Sequence, residues 1–199
     1  LKSKQDPVEY AQKVERMKLL WQLYKAGYID LVFGDEAGFQ LVPCIPYGWQ
    51  PIGERISIVP RKGKTLSIFG LLHADNRLQC YSTEKTTDAD FIIQCLDDFA
   101  SKIECPTVLI LDNAPIHKAH KMMAKRREWE QKNLFIFFLP KYSPHLNRIE
   151  TLWRKIKYEW LHHKHFRSWK TLTNAVKSIL ASFGSDLYNI NFSDPYYVI

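Results

Sequence analysis

Apolar residues Tyr10, Val14, Met17, Trp21 and Tyr24 recur at helical spacing behind the polar start Asp6-Pro7-Val8-Glu9. An Asp N-cap, a Pro in the first turn and a Glu closing a capping box open a helix there, and Gly27 ends it. From Tyr28 to Phe33 the chain turns β-rich, and this strand delivers Asp35 and Glu36 at its end. A strand continuing through both acids would point them to opposite faces. Seven Pro and Gly residues between 40 and 63 predict a long irregular insertion. Two strands, Thr65–Leu72 and Leu78–Tyr81, follow around the turn residues Ala74-Asp75-Asn76-Arg77. Residues 86–103 form an amphipathic helix that buries Phe91, Ile92, Cys95, Leu96 and Phe99. Val108–Leu111 is apolar at every position and ends in Asp112, as suits a strand covered on both faces. A basic helix over about 117–131 and a fully buried strand over 134–139 come next. A helix after Asn147 carries the stripe Ile149, Leu152, Trp153, Ile156 and Trp160, and a last helix buries Leu172, Val176, Ile179, Leu180 and Phe183.

This order predicts an α/β fold, a mixed five-stranded sheet flanked by helices. The main domain would run over 28–184, after an N-terminal helical segment 1–27 and before a tail 185–199. At 46% hydrophobic and 25% charged residues, the 199-residue chain is neither disordered nor collagen-like. No run approaches the roughly 18 apolar residues of a membrane span, so no membrane partner is expected. The opening LKSKQDPVEY lacks the apolar core of a signal peptide, and the absence of a starting Met suggests a processed chain or a piece of a longer protein. Cys44, Cys80, Cys95 and Cys105 have no regular spacing and read as reduced thiols in a cytosolic chain.

The net charge of +7 is unevenly spread: residues 1–99 hold 12 Lys/Arg against 13 Asp/Glu, and residues 100–199 hold 16 against 8. A one-sided basic field suits a polyanion-binding surface, although a merely solvated surface accounts for charge alone equally well.

Ligands of open α/β sheets usually sit beyond the carboxyl ends of parallel strands, which directs attention to Asp35 and Asp112. Each acid alone reads as a turn-former, and Glu150 alone reads as the far half of a capping box with Asn147. Their surroundings change that reading. Asp112 leads DNAPIH after a strand too apolar to stop at an acid by chance. Glu150 follows LPKYSPHLN, whose Pro140 and Pro144 hold the approach to the helix extended. Glu150, Arg154 and Lys157 share one helix face beside the buried stripe. If Asp35, Asp112 and Glu150 converge, their repulsion raises a pKa unless a cation compensates, and hard Mg²⁺ or Mn²⁺ ions suit oxygen ligands. Two such ions about 3.5–4 Å apart serve phosphoryl transfer. Lys141, Arg148, Arg154 and Lys157 would bind a phosphodiester backbone. Asn113 and His117 either orient a metal-bound water or a phosphate, or serve turn hydrogen bonding and helix N-terminal polarity. His162, His163 and His165 fit a solvated or phosphate-facing surface better than a zinc site. Tyr47 and Trp49 either stack on an unpaired base or staple the insertion to the core, the latter being favoured for Trp49.

GDEAGFQLVP, Gly48-Trp49-Gln50-Pro51-Ile52-Gly53, LILDNAPIH and FFLPKYSPHLNRIETLWRKIKYEW together resemble the catalytic domain of the bacterial insertion sequence 630 transposases, in the superfamily that also contains mariner. The resemblance covers roughly residues 28–163. It implies a ribonuclease H-like fold and an Asp-Asp-Glu metal triad falling on Asp35, Asp112 and Glu150. It also implies Mg²⁺-dependent cleavage at transposon ends and strand transfer by the freed 3′-hydroxyl, usually into a TA dinucleotide of double-stranded DNA. A homodimer on DNA, at the nucleoid in the bacterial cytoplasm, goes with it. Where the family often has Pro this chain has Arg148, which the first helical position tolerates. The family carries helix-turn-helix modules ahead of this domain, and residues 1–27 would link to such modules. Two other readings compete: a non-catalytic DNA-binding remnant or co-opted fragment, and a general ribonuclease H-like nuclease that cuts without joining.

Overall fold

The polar start of the first helix folds as its residues dictate. The Asp6 carboxylate accepts hydrogen bonds from the Val8 and Glu9 amides at 2.9 and 3.3 Å and opens α1, Pro7–Lys25. Gly27 closes it with φ +77°, which lets the Tyr28 amide reach back to the Leu23 carbonyl. The computed structural model describes residues 6–42, 52–53 and 61–192. Tyr47, Trp49 and Cys44, and most of the predicted insertion, lie outside the described residues.

Five strands follow: β1 (Asp30–Leu41), β2 (Arg61–His73), β3 (Leu78–Thr83), β4 (Thr107–Leu111) and β5 (Leu134–Phe138), in spatial order β3-β2-β1-β4-β5. The first three pair antiparallel, while β1–β4 and β4–β5 pair parallel. Between them run α2 (Ala89–Ala100) and α3 (His120–Gln131), and after β5 come α4 (Arg148–Lys155) and α5 (Trp169–Ala181).

Side-chain alternation divides the core in two. Leu31, Phe33, Ala37 and Phe39 of β1 pack with Met17 and Trp21 of α1, Ile149, Leu152 and Trp153 of α4 and Val176 of α5. Val32 joins Phe69, Leu109, Leu111 and Ile136 against Ile92, Leu96 and Phe99 of α2 and Met122 and Trp129 of α3. The mixed, two-faced sheet matches the expected class.

Several local expectations change. β1 does not stop near Phe33 but continues to Leu41, so Asp35 and Glu36 lie inside a strand; pairing with β2 from Val32 to Leu41 sustains it. The predicted insertion is correspondingly shorter at both ends, with Leu41 paired to Arg61 across an irregularity after Phe39. β5 is not buried throughout: it is the sheet's edge, and Phe135 stays 41% exposed. The basic helix starts later than expected, because a 3₁₀ turn over Pro115–Lys118 and an extended Ala119 precede α3. The late helix widens into a π-turn over Ile156–Trp160. Among the described residues no helix is long and apolar enough to cross a membrane.

Candidate active site

Strand register brings the first two acids together. Asp35 shares the parity of Leu31 and Phe33, whose side chains face α1, α4 and α5. Asp112 shares that of Val108 and Ile110, which face the same way. Parallel pairing sets Phe33 beside Ile110, and carrying that register on by two residues sets Asp35 beside Asp112. Glu150 arrives from the first turn of α4, which lies on this face because Ile149 and Trp153 are buried against it. Across the antiparallel pair from Asp35 stands Gly70. A Cβ there would meet Trp153 Cζ2 at 2.7 Å and Ile149 Cδ1 at 2.9 Å, so the missing side chain is what lets α4 approach Asp35.

The helix start is also pinned from beneath. Asn147 is buried, and its side-chain amide donates to the Gly34 carbonyl at 3.0 Å, one residue before Asp35. It makes no side-chain cap to α4, so the capping-box alternative for Glu150 is not realised. Arg148 turns away from the acids. Its guanidinium stacks over the Trp21 ring at 4.3 Å and donates to the Ala74 carbonyl at 3.3 Å. The aromatic cage of Trp21, Phe33 and Phe192 draws it inward.

The electrostatics record the crowding. Burial, then the charges of Glu150 and Glu36, push Asp35 up to about 8, with Asp112 adding to the effect. Glu150 is raised by lost hydration and by Asp112, and partly relieved by Lys157. Asp112 behaves oppositely. Its burial works to raise the pKa, but hydrogen bonds from His117 and the Ala114 amide at 2.8 Å each, with the His117 charge, hold it below the ordinary range. For His117 burial favours the neutral ring, yet Asp112 and Glu36 override it and raise the pKa to about 10. Asn113 donates to the Leu139 carbonyl and ties the ends of β4 and β5 together.

Two hollows meet at Glu150. One, of about 410 Å³, is lined by Asp112, Asn113, Lys141, Tyr142 and Asn147 as well as Glu150. The other, of about 440 Å³, is lined by His145, Trp153, Arg154, Lys157 and Tyr158 with Glu150. Lys141 thus shares one hollow with Asp112 and Glu150, and Arg154 and Lys157 share the other with Glu150. Among the described residues no three Asp, Glu, His or Cys side chains are gathered closely enough to hold one ion, and this includes the His162–His165 segment. There His165 Nδ1 accepts the His162 amide at 3.0 Å and caps a short 3₁₀ turn.

The sequence reading missed two contributors. Glu36 meets His117 from a position 81 residues away in the chain, which no local spacing reveals. Gly70 looks like any strand glycine until the helix above it is known.

A family model described as DDE superfamily endonuclease matches residues 30–173. The chain belongs to this family. A curated relative of this DDE endonuclease chain is the insertion element IS630 uncharacterized 39 kDa protein of Shigella sonnei, 28% identical over 129 residues. The match covers 62% of this chain and 36% of that protein. Among solved structures, the mariner Mos1 paired end complex with Mg superposes with a TM-score of 0.61 at 18% identity, over 93% of this chain and 58% of that one. The Mos1 strand transfer complex gives 0.59 at 18% identity, over 89% and 55%. The DDE endonuclease chain therefore spans little more than a third of its curated relative and a little over half of these structures, and at these identities the structures speak to a shared ribonuclease H-like fold.

Proposed function

We propose that this chain is the catalytic domain, over residues 28–184, of a DNA transposase that cuts phosphodiesters at transposon ends and joins the freed 3′-hydroxyl to target DNA. The observation that carries this reading is the delivery of Asp35, Asp112 and Glu150 by β1, β4 and α4 to one face of the sheet, with Lys141, Arg154 and Lys157 lining the hollows that meet at Glu150. The name of the Shigella relative and the titles of the Mos1 complexes, one of them with Mg, support it.

The donor set fits hard divalent ions, Mg²⁺ or Mn²⁺: all three ligands are carboxylates, and burial together with neighbouring acidic charge raises the pKa of two of them, Asp35 and Glu150. Asp35 and Asp112 would share two such ions, and Glu150 would hold the second. Bound there, such ions supply Lewis-acid stabilisation of the attacking and leaving oxygens. The chain itself does the rest. Asp35 gives up its proton on loading, and Asp112 stays ionised in a fixed orientation. Lys141, Arg154 and Lys157 hold the backbone phosphates on either side of the scissile bond. In the first step water attacks phosphorus, the P–O3′ bond breaks and a proton from the water ends on the departing 3′-oxygen, leaving a 3′-hydroxyl and a 5′-phosphate. In the second that 3′-hydroxyl attacks a target phosphorus, the target's own P–O3′ bond breaks and the hydroxyl proton ends on the departing target 3′-oxygen. A TA target, a homodimer on double-stranded DNA and a nucleoid location follow from the same reading.

Asp112→Asn tests it. We expect Mg²⁺-dependent nicking of an end-sequence duplex to disappear, with the melting temperature and salt-sensitive DNA binding little changed. Cleavage at the wild-type rate by this variant would remove Asp112 from the chemistry. A pre-cut 3′-hydroxyl substrate that is never joined to target would mark the chain as a nuclease.

A further inference from the structure

We infer that Glu36 and His117 are positioning residues for Asp112, acting from behind the sheet so that its Oδ2 alone faces a divalent ion. The inference rests on the metal-binding role proposed for Asp112 and names what sets that ligand's geometry.

The His117 side chain is buried and lies between two carboxylates, its Nδ1 2.8 Å from Asp112 Oδ1 and its Nε2 2.9 Å from Glu36 Oε2. Ionised carboxylates only accept hydrogen bonds, so a ring bonded to both must donate from both nitrogens. An imidazole that merely filled space would need neither acid. Glu36 follows Asp35 in β1 and therefore points to the opposite face, the α2–α3 side. One strand thus contributes an acid to each side of the sheet, Asp35 to the side of α1, α4 and α5 and Glu36 to the support of Asp112.

The turn Pro115–Lys118 carries His117 back beneath Asp112, held by the His117 amide donating to the Ala114 carbonyl at 3.0 Å. The Ala114 amide in turn donates to Asp112 Oδ1 at 2.8 Å. Among the described residues, both hydrogen bonds that Asp112 accepts fall on Oδ1. The carboxylate is locked in rotation, and Oδ2 is the oxygen left for the groove that Asp112 lines. Glu36 is the distal anchor, since without it the ring keeps one partner and is free to tilt. Partners of this kind typically change metal affinity by about 10–100-fold.

The test is Mn²⁺ titration by calorimetry on the wild-type chain, Glu36→Gln, Glu36→Asp and Asp112→Asn, each with a thermal melt. We expect Asp112→Asn to lose most binding and Glu36→Gln to weaken it roughly tenfold or more with a cooperative melt retained. Glu36→Asp, which keeps the charge but shortens the reach, should fall between Gln and wild type. A role confined to folding would move the melts and leave Mn²⁺ affinity alone, so wild-type affinity in a folded Glu36→Gln variant overturns the inference and spares the proposed function. Absence of Mn²⁺ binding by the wild-type chain overturns both. If Glu36→Gln does not fold, a Mn²⁺-soaked wild-type crystal decides. Coordination through Asp112 Oδ2, with His117 still bridging Oδ1 and Glu36, supports the inference; coordination through Oδ1 or through both oxygens overturns it.

Discussion

Asp35 shows how a single side chain couples function to stability. Its pKa lies at about 8 against an ordinary 3.8, chiefly through burial and the Glu150 charge. A folded-state pKa above the unfolded one means that the folded chain binds the extra proton. The resulting stability is fully present below the unfolded value and drains away as pH rises from about 4 through 8. His117 acts in the same direction from 6.5 to about 10. Without divalent ions the chain should therefore melt at lower temperature at pH 8 than at pH 5. Asp35→Asn should raise the pH 8 melting temperature by about 4–8 °C, on the order of 2 kcal/mol, and change it little at pH 4. Millimolar Mn²⁺ should restore the wild type at pH 8 and leave the variant unmoved. Asp112 stood out in the sequence by ending an apolar run and Glu150 by its Pro-framed approach, and the fold brings both to the sheet face that Asp35 shares. The stacking of Arg148 on the Trp21 ring of α1 was not legible, because a helix-face argument sees neighbours along one helix only.

At the scale of elements, α4 is the part that completes the groove, and its seating depends on contacts made at a distance. Gly70 opens the space for Ile149 and Trp153, and Asn147 fastens the helix start to the Gly34 carbonyl. Gly70→Ala should cost about 1–3 kcal/mol by overpacking and should displace Glu150 along with the helix. Mn²⁺ affinity should then fall more than the melting temperature alone accounts for. A second change, Trp153→Leu, should recover part of that affinity by making room. The apolar stripe of α4 predicted this helix and its buried face correctly, and periodicity did the same for α2 and α5. It missed the π-turn at Ile156–Trp160 and the extension of β1 to Leu41. Both are held by tertiary partners: Trp160 packs on Phe183 and Tyr188, and the end of β1 depends on β2.

Over the whole molecule the basic excess of the second half becomes a divided surface. Lys141 lines one hollow, Arg154 and Lys157 line the other, and Glu150 is common to both. Each of Lys141→Ala, Arg154→Ala and Lys157→Ala should lower the slope of log K against log salt for duplex DNA by roughly 0.9, measured by fluorescence anisotropy. Arg148→Ala should leave that slope unchanged and instead lower stability by about 1–2 kcal/mol through its lost ring and carbonyl contacts. By itself, the sequence determined the order of strands and helices and the two buried faces, and it singled out the three acids as candidates. Those properties are written in local periodicity and in residues that break it. Only the tertiary structure decided that Glu36 reaches His117, that Gly70 makes room for α4 and that Arg148 faces inward. Each of these is a meeting of segments far apart in the chain, and a meeting of that kind depends on packing across the sheet, which no local pattern encodes.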